Sequence, residues 1–162
     1  MPTSTHGHPR CFATLIAFTV VTVLAGFGTV CSAQEKSASF VKAAKENRME
    51  DFQRLLKQGA NVNASDERGY TALIWVAGRG NVNAAQKLLD AGADMNAKTV
   101  DNVTALIRAA SWGHFDVVKL LVGRGADLNV KGKDGWTATE AASLFGHEEI
   151  KQFLIQHGAK EK

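Results

Sequence analysis

The chain contains only two cysteines, and both stand in its N-terminal part. Cys11 and Cys31 fall within residues 11–34, a stretch without any charged side chain. Residues 35–162 hold no cysteine, so they form no disulfide and offer no thiolate ligand or thiol nucleophile. A disulfide scaffold and a cysteine-based enzyme are therefore excluded for that part of the chain.

A strong charge of either sign is also missing. The chain has 19 basic and 16 acidic residues, which gives a formal net charge of +3. Nucleic acid requires sustained positive charge on its partner, and an anionic membrane surface attracts the same kind of protein. The near-balanced composition therefore implies neither of these partners.

The common catalytic signatures are absent as well. The sequence contains no HExxH, no G-x-S-x-G and no phosphate-binding loop. Glu148 and Glu149 are adjacent, and adjacent residues on a helix point to different sides, so they do not form a working carboxylate pair. We expect no catalytic residue, no metal site and no cofactor.

The uncharged stretch predicts a secretory signal peptide over residues 1–33. Arg10 precedes the apolar run, and the segment Cys31-Ser32-Ala33 has the small residues that a signal peptidase accepts. The remaining chain, which we expect to be a monomer, is then periplasmic or secreted. An uncleaved membrane anchor is the alternative, because the run approaches the length at which a helix spans a bilayer.

A period of 33 residues dominates the rest of the chain. Gly-Ala pairs, asparagines, threonines, single glycines and leucines all keep this step without an insertion or deletion. They are Gly59-Ala60, Gly92-Ala93, Gly125-Ala126 and Gly158-Ala159; Asn63, Asn96 and Asn129; Thr71, Thr104 and Thr137; Gly80, Gly113 and Gly146; and Leu55, Leu88, Leu121 and Leu154. Such a strict period predicts a solenoid of helix-turn-helix units.

The recurring residues have predicted places within the unit. The threonines suit the N-cap of a first helix, where the hydroxyl accepts a free backbone N–H. The single glycines suit the left-handed position at the end of that helix, and Asn47 replaces them in the first unit. Apolar residues at helical spacing, such as Phe115, Val118 and Leu121, then predict a second helix that closes at the Gly-Ala pair.

This unit resembles the ankyrin repeat. The family pattern reads D-x-x-G-x-T-P-L-H-x-A-A-x-x-G-H, an apolar helix, and L-L-x-x-G-A-D-V-N-A, and residues 101–130 (DNVTALIRAASWGHFDVVKLLVGRGADLNV) match most of it. The resemblance covers about residues 37–160 and implies an all-α, ankyrin-type solenoid of four helix-turn-helix repeats with short loop or β-hairpin connections. We expect the repeats at residues 37–66, 67–99, 100–132 and 133–162.

Two family positions differ in this chain. The proline after the threonine is alanine at Ala72, Ala105 and Ala138, and the following histidine is replaced at Ile74, Ile107 and Glu140. In the family this histidine ties the turn to its neighbour by hydrogen bonds, so we expect a modest loss of stability within the same fold. His114 and His147 occupy the family's Gly-His position, which favours a structural role for them over a metal pair.

The resemblance also implies that a partner protein binds to a concave face made of loop tips and first helices. The variable positions on that face are occupied by Tyr70, Val103 and Trp136 before the threonine, and by Arg79, Trp112 and Phe145 before the turn glycine. Aromatic and arginine side chains are the types that supply binding hot spots. Packing against the next repeat is the alternative for Trp112 and Phe145, and we expect Trp75 to be interior.

Three functions from different classes follow from these patterns. The first is a non-catalytic interaction module, exported by a bacterium; exported proteins of this family accompany stress-defence enzymes or act as immunity proteins. The second is a membrane-anchored ankyrin scaffold, which differs in keeping residues 1–33. The third is a ligand-binding or catalytic protein, which requires a cluster of converging ionisable groups that the sequence does not show.

Overall fold

The structure is a computed structural model that describes the backbone of residues 24–160 and the side chains of residues 33–160. This part of the chain forms eight α-helices and no β-strand. In chain order they are α1 (Leu24–Lys45), α2 (Met49–Lys57), α3 (Ala72–Ala77), α4 (Val82–Asp90), α5 (Ala105–Ser111), α6 (Phe115–Gly123), α7 (Ala138–Leu144) and α8 (Glu148–Gln156).

The N-terminal helix begins ahead of the repeats. Most of the predicted signal peptide, residues 1–23, lies outside the described residues, and α1 runs without a break through the predicted cleavage point after Ala33. Burial along the described side chains of α1 starts at Phe40, which stacks on Phe52 of α2 with 4.9 Å between the ring centroids. No described helix combines the length and the hydrophobicity that crossing a bilayer requires.

The helices stack as two layers. The first helices α1, α3, α5 and α7 contact one another in sequence, and α4, α6 and α8 form the second layer behind them. Alanines on the first helices, among them Ala44, Ala77 and Ala110, are fully buried where neighbouring repeats meet. Because a methyl group lets two helix backbones approach closely, these short helices share one continuous core. The predicted all-α, ankyrin-type solenoid is confirmed.

The predicted helix starts are confirmed at the atomic level. Each threonine hydroxyl accepts the backbone N–H three residues later, at 3.3–3.4 Å, and the three caps are Thr71, Thr104 and Thr137. At the last of them, the carboxylate of Glu140 also accepts the backbone N–H of Thr137 at 2.8 Å, which completes a capping box. Glu140 thereby forms a local tie at the family's histidine position, whereas Ile74 and Ile107 are buried in the core instead.

The turns between paired helices use the left-handed backbone as predicted. Gly80, Gly113 and Gly146 have φ between +70° and +78°, and Asn47 takes the same region with φ +59°. His114 donates from Nε2 to the carbonyl oxygen of Gly78 at 3.1 Å, one repeat earlier. The equivalent His147 donates to the carbonyl oxygen of Ser111 at 3.2 Å, so both histidines join successive repeats.

The loops that connect the repeats form a regular ladder. The backbone N–H of Val100 donates to the carbonyl oxygen of Arg68 at 2.9 Å, and the equivalent N–H of Lys133 donates to the carbonyl oxygen of Asp101 at 2.8 Å. Among the described residues, the expected β-hairpin pairing is reduced to one isolated antiparallel bridge between Ser65 and Thr71. The ladder fixes the loop tips beside the ends of the first helices.

Candidate protein-binding face

Large apolar side chains are exposed on one surface, which consists of the loop tips and the C-terminal ends of α3, α5 and α7. We call this surface the loop–helix face. Its exposed members have 41–69% of their area open to solvent, and they are Val100, Trp112, Trp136, Leu144 and Phe145. Three of them, Trp112, Trp136 and Phe145, line one groove, which makes this part of the face a candidate interaction site.

Local structure explains why these aromatic residues face outward. Trp112 and Phe145 are the C-cap residues of α5 and α7, where the chain leaves the helix just before the left-handed glycine. Trp136 comes directly before the N-cap Thr137. All three side chains are exposed, whereas Tyr70 and Val103, which hold the position of Trp136 in the two preceding repeats, pack partly against the core.

Four of the six residues predicted to bind a partner line one groove of about 420 Å³: Val103, Trp112, Trp136 and Phe145. Ile107, which is almost fully buried, contributes to the same lining. We call this site the aromatic groove. Its volume lies within the range typical of binding pockets.

The rim of the aromatic groove carries charges of both signs. Lys133 lies 3.7 Å from the carboxylate of Asp101, and both side chains are largely exposed. Asp134 lines the same groove. An exposed pair of this kind contributes little to binding or stability because water and salt screen it. The groove therefore offers apolar contact at its centre and a mixed polar rim.

The other two predicted residues lie outside the aromatic groove. Tyr70 is half-buried and stacks on Trp75 with 4.7 Å between the ring centroids, so it packs against the core. The guanidinium of Arg79 donates a hydrogen bond to the backbone carbonyl of Lys45 at the end of α1. The structure thus separates Tyr70 and Arg79 from the four groove residues, because each has a partner in its own or the preceding repeat.

The expectation that Trp75 is interior was wrong in part. Its ring is half-buried in the described structure, with Lys45 above it at 5.5 Å from the centroid. Trp75 also lines a second cavity of about 250 Å³ next to the groove, together with Gly78, Arg79, Arg108 and Trp112. We call this second site the guanidinium cavity. It shares Arg108 and Trp112 with the aromatic groove.

Sequence reasoning missed Arg108, which lies at the centre of this surface. Its guanidinium carbon is 5.5–5.8 Å from the centroids of three rings, those of Tyr70, Trp75 and Trp112. Such cation–π contacts hold the rings and the charge in fixed positions. The sequence did contain a signal for these contacts. Arg108 precedes Trp112 by one helical turn and follows Trp75 by one repeat, so both rings are expected close to its side chain.

Two carboxylates with a lowered pKa lie away from the groove. A hydrogen bond from Gln86, followed by one from Arg124, holds the pKa of Asp90 below its usual range. Hydrogen bonds from Lys151 and then Gln152 likewise lower the pKa of Glu148. Both carboxylates are on second helices, and neither lines the aromatic groove. Residues 33–160 contain no group of three or more His, Cys, Asp or Glu side chains placed to hold a metal ion.

Comparison with known proteins agrees with the repeat architecture described above. A family model described as ankyrin repeats, in three copies, matches residues 40–132. A search of curated proteins found no match. Beyond the matched residues, α7 and α8 repeat the same threonine cap, left-handed glycine and inter-repeat histidine bond. The chain therefore belongs to the ankyrin repeat family, whose members are generally non-catalytic modules that bind other proteins.

Proposed function

We propose that this protein is an exported, non-catalytic module that holds a partner protein in its aromatic groove. The observation that carries the proposal is the convergence of Val103, Trp112, Trp136 and Phe145 on one groove of the loop–helix face. Exposed aromatic side chains that enclose a groove provide large contact area at little entropic cost. A segment of the partner with an apolar side chain fits this lining.

Contacts that hold the walls of the groove favour its use as a preformed site. Arg108 lies 5.7 Å from the Trp112 ring centroid, and the N–H of Lys133 ties the loop before Trp136 to the preceding loop at Asp101. A site whose walls are already ordered loses less conformational entropy on binding. The aromatic groove therefore has both the chemistry and the order expected of a binding site.

The test is partner capture by the full chain and by a variant that carries Trp112→Ala and Trp136→Ala. We expect the double variant to bind the captured partner at least ~30-fold more weakly, since the loss of even one hot-spot residue costs about 2 kcal/mol or more. Both side chains are exposed, so helicity and melting temperature are expected to stay close to those of the parent. Isothermal titration calorimetry with the purified partner measures the difference.

Val100→Ser provides the matched control. Val100 is 69% exposed on a loop tip but does not line the aromatic groove, so its loss removes apolar surface without touching the site. Binding by this variant is expected to equal that of the parent. Equal capture by the tryptophan double variant would move the interface elsewhere and defeat the proposal.

Export rests on the sequence of residues 1–33, and it distinguishes two forms of the same function. Cleavage after Ala33 releases a periplasmic or secreted module, whereas an uncleaved segment makes a membrane-anchored scaffold. The mass of the mature protein from an extracytoplasmic fraction separates the two. A role beside a stress-defence enzyme or as an immunity protein then depends on which partner the groove captures.

A further inference from the structure

The guanidinium cavity contains two buried N–H donors without a hydrogen-bond acceptor in the described structure. They are Nε1 of the Trp75 indole and Nε of the Arg108 guanidinium. Both groups can only donate, and both residues line the same cavity of about 250 Å³. A buried donor that has lost water without gaining an acceptor is destabilising. A ligand with acceptor oxygens therefore suits the residues that line this cavity.

The charge of the cavity is uncompensated as well. Within the described residues Arg108 forms no ion pair, and its positive charge faces aromatic rings instead. The Arg79 guanidinium donates to a neutral backbone carbonyl, and none of the residues that line the cavity is acidic. Lys45, above Trp75, adds a further positive charge beside it. An anionic acceptor fits this field better than a neutral one.

Gly78 makes room for the arginine at this site. A Cβ atom there would lie 2.9 Å from both Cγ and Nε of Arg108, which is too close. The backbone of Gly78 is ordinary, with φ −69°, so its conformation does not require glycine. The same position is occupied by Ser111 and Leu144 in the next two repeats. Glycine at this repeat therefore serves the path of the Arg108 side chain.

We propose that the guanidinium cavity binds the side-chain carboxylate of an aspartate or glutamate on the partner protein. This inference rests on the proposed function and specifies the chemistry of the bound segment. Because the cavity shares Arg108 and Trp112 with the aromatic groove, an apolar side chain in the groove places a neighbouring residue at the cavity. The bound segment thus combines an apolar residue with an adjacent acidic one.

The first test compares two peptides that differ only in charge: acetyl-Glu-Phe-Glu-amide and acetyl-Gln-Phe-Gln-amide. Nitrogen-15 spectra of the full chain follow the indole N–H signals of Trp75, Trp112 and Trp136 during each titration. We expect the acidic peptide to bind at least tenfold more tightly and to shift the Trp75 signal. Equal binding of the two peptides overturns the carboxylate site but leaves the groove intact, provided that Trp112 and Trp136 respond.

Two variants test whether the cavity is responsible. Arg108→Gln removes the charge, and Gly78→Ala displaces the arginine without straining the backbone; each is expected to abolish the preference for the acidic peptide. Gly123→Ala is the matched control, because a Cβ at Gly123, the last residue of α6, meets nothing within 4 Å. It is expected to keep the full preference. Persistence of the preference in both cavity variants contradicts the proposal.

Capture of the natural partner separates failure of this inference from failure of the proposed function. A partner lost by Trp112→Ala and Trp136→Ala but retained in full by Arg108→Gln supports the groove and overturns the carboxylate site. Loss with Arg108→Gln, at unchanged helicity, supports both. Sodium sulfate serves as a second probe. If the Trp75 signal saturates at a lower concentration of sulfate than of the acidic peptide, the cavity is a site for a free oxyanion, and the proposal is overturned.

Discussion

His114 and His147 link the third and fourth repeats to the repeat before them, and glycines leave space for their rings. A Cβ at Gly113 would lie 2.6 Å from Cε1 of His147, whereas a Cβ at Gly146 meets nothing within 4 Å. Both glycines have left-handed φ, +74° and +78°. Both positions therefore require a left-handed backbone, but only at Gly113 does a side chain, that of His147, occupy the space of a Cβ atom.

This pair gives a direct prediction for alanine substitution. Gly146→Ala is expected to cost about 1–2 kcal/mol because an L-residue is strained in the left-handed region. Gly113→Ala is expected to cost about 1 kcal/mol more, since it also displaces His147 and its hydrogen bond to Ser111. Urea unfolding measures both. If the extra loss persists in a His147→Ala background, the histidine is not its cause.

Besides the packing of their helices, neighbouring repeats are coupled through their loops. The side chain of Asn63 accepts the backbone N–H of Asp94 at 2.8 Å, and Asn96 accepts that of Asp127 at 3.0 Å. Asn129 does the same for Lys160 at 2.9 Å. Each bond crosses from the end of one second helix to the end of the next, so the recurring asparagines act as ties between repeats.

Substitution of the middle asparagine tests this coupling. Asn96→Ala is expected to lower the free energy of unfolding by about 1 kcal/mol through loss of one hydrogen bond. Asn83→Ala is the control, because Asn83 is exposed on α4 and alanine favours a helix. Its expected effect is neutral or slightly stabilising. Equal destabilisation by both would show that the loss reflects something other than the tie, and thermal unfolding followed by circular dichroism compares them.

In the whole molecule, each repeat contacts chiefly its neighbours. The first helices meet in the order α1, α3, α5 and α7, and the second helices α4, α6 and α8 follow the same order. Stability in such an array is close to a sum of the repeats and of the interfaces between neighbours. Damage at one end is therefore expected to stay local.

Phe40→Ala tests this locality. Phe40 and Phe52 are both fully buried and stack on each other, so the loss of the ring is expected to cost about 3–5 kcal/mol in the first helix pair. Hydrogen exchange is expected to accelerate in α1 and α2 while α7 and α8 remain protected. Uniform acceleration along the chain would instead indicate one cooperative unit. The control is Val100→Ala, which also shortens an apolar side chain to alanine but does so on an exposed loop tip.

The sequence by itself determined the repeat, its helices and their ends. The threonine caps and the left-handed glycines depend on interactions within a few residues of each other, and the 33-residue period repeats them along the chain, so the sequence pattern is sufficient to reveal them. It also placed four of the six candidate residues in what proved to be one groove. Trp112, Trp136 and Phe145 were recognisable as large aromatic residues at the variable positions of the repeat, and all three are exposed.

Only the tertiary structure decided how neighbouring repeats share these side chains. Tyr70 contacts Trp75 of the following helix and Arg108 of the next repeat, so it is half-buried and does not line the aromatic groove. The two buried donors of the guanidinium cavity likewise come from different repeats. Their environment depends on residues about 33 positions apart, whose packing and hydrogen bonding are set by the stacking of helices.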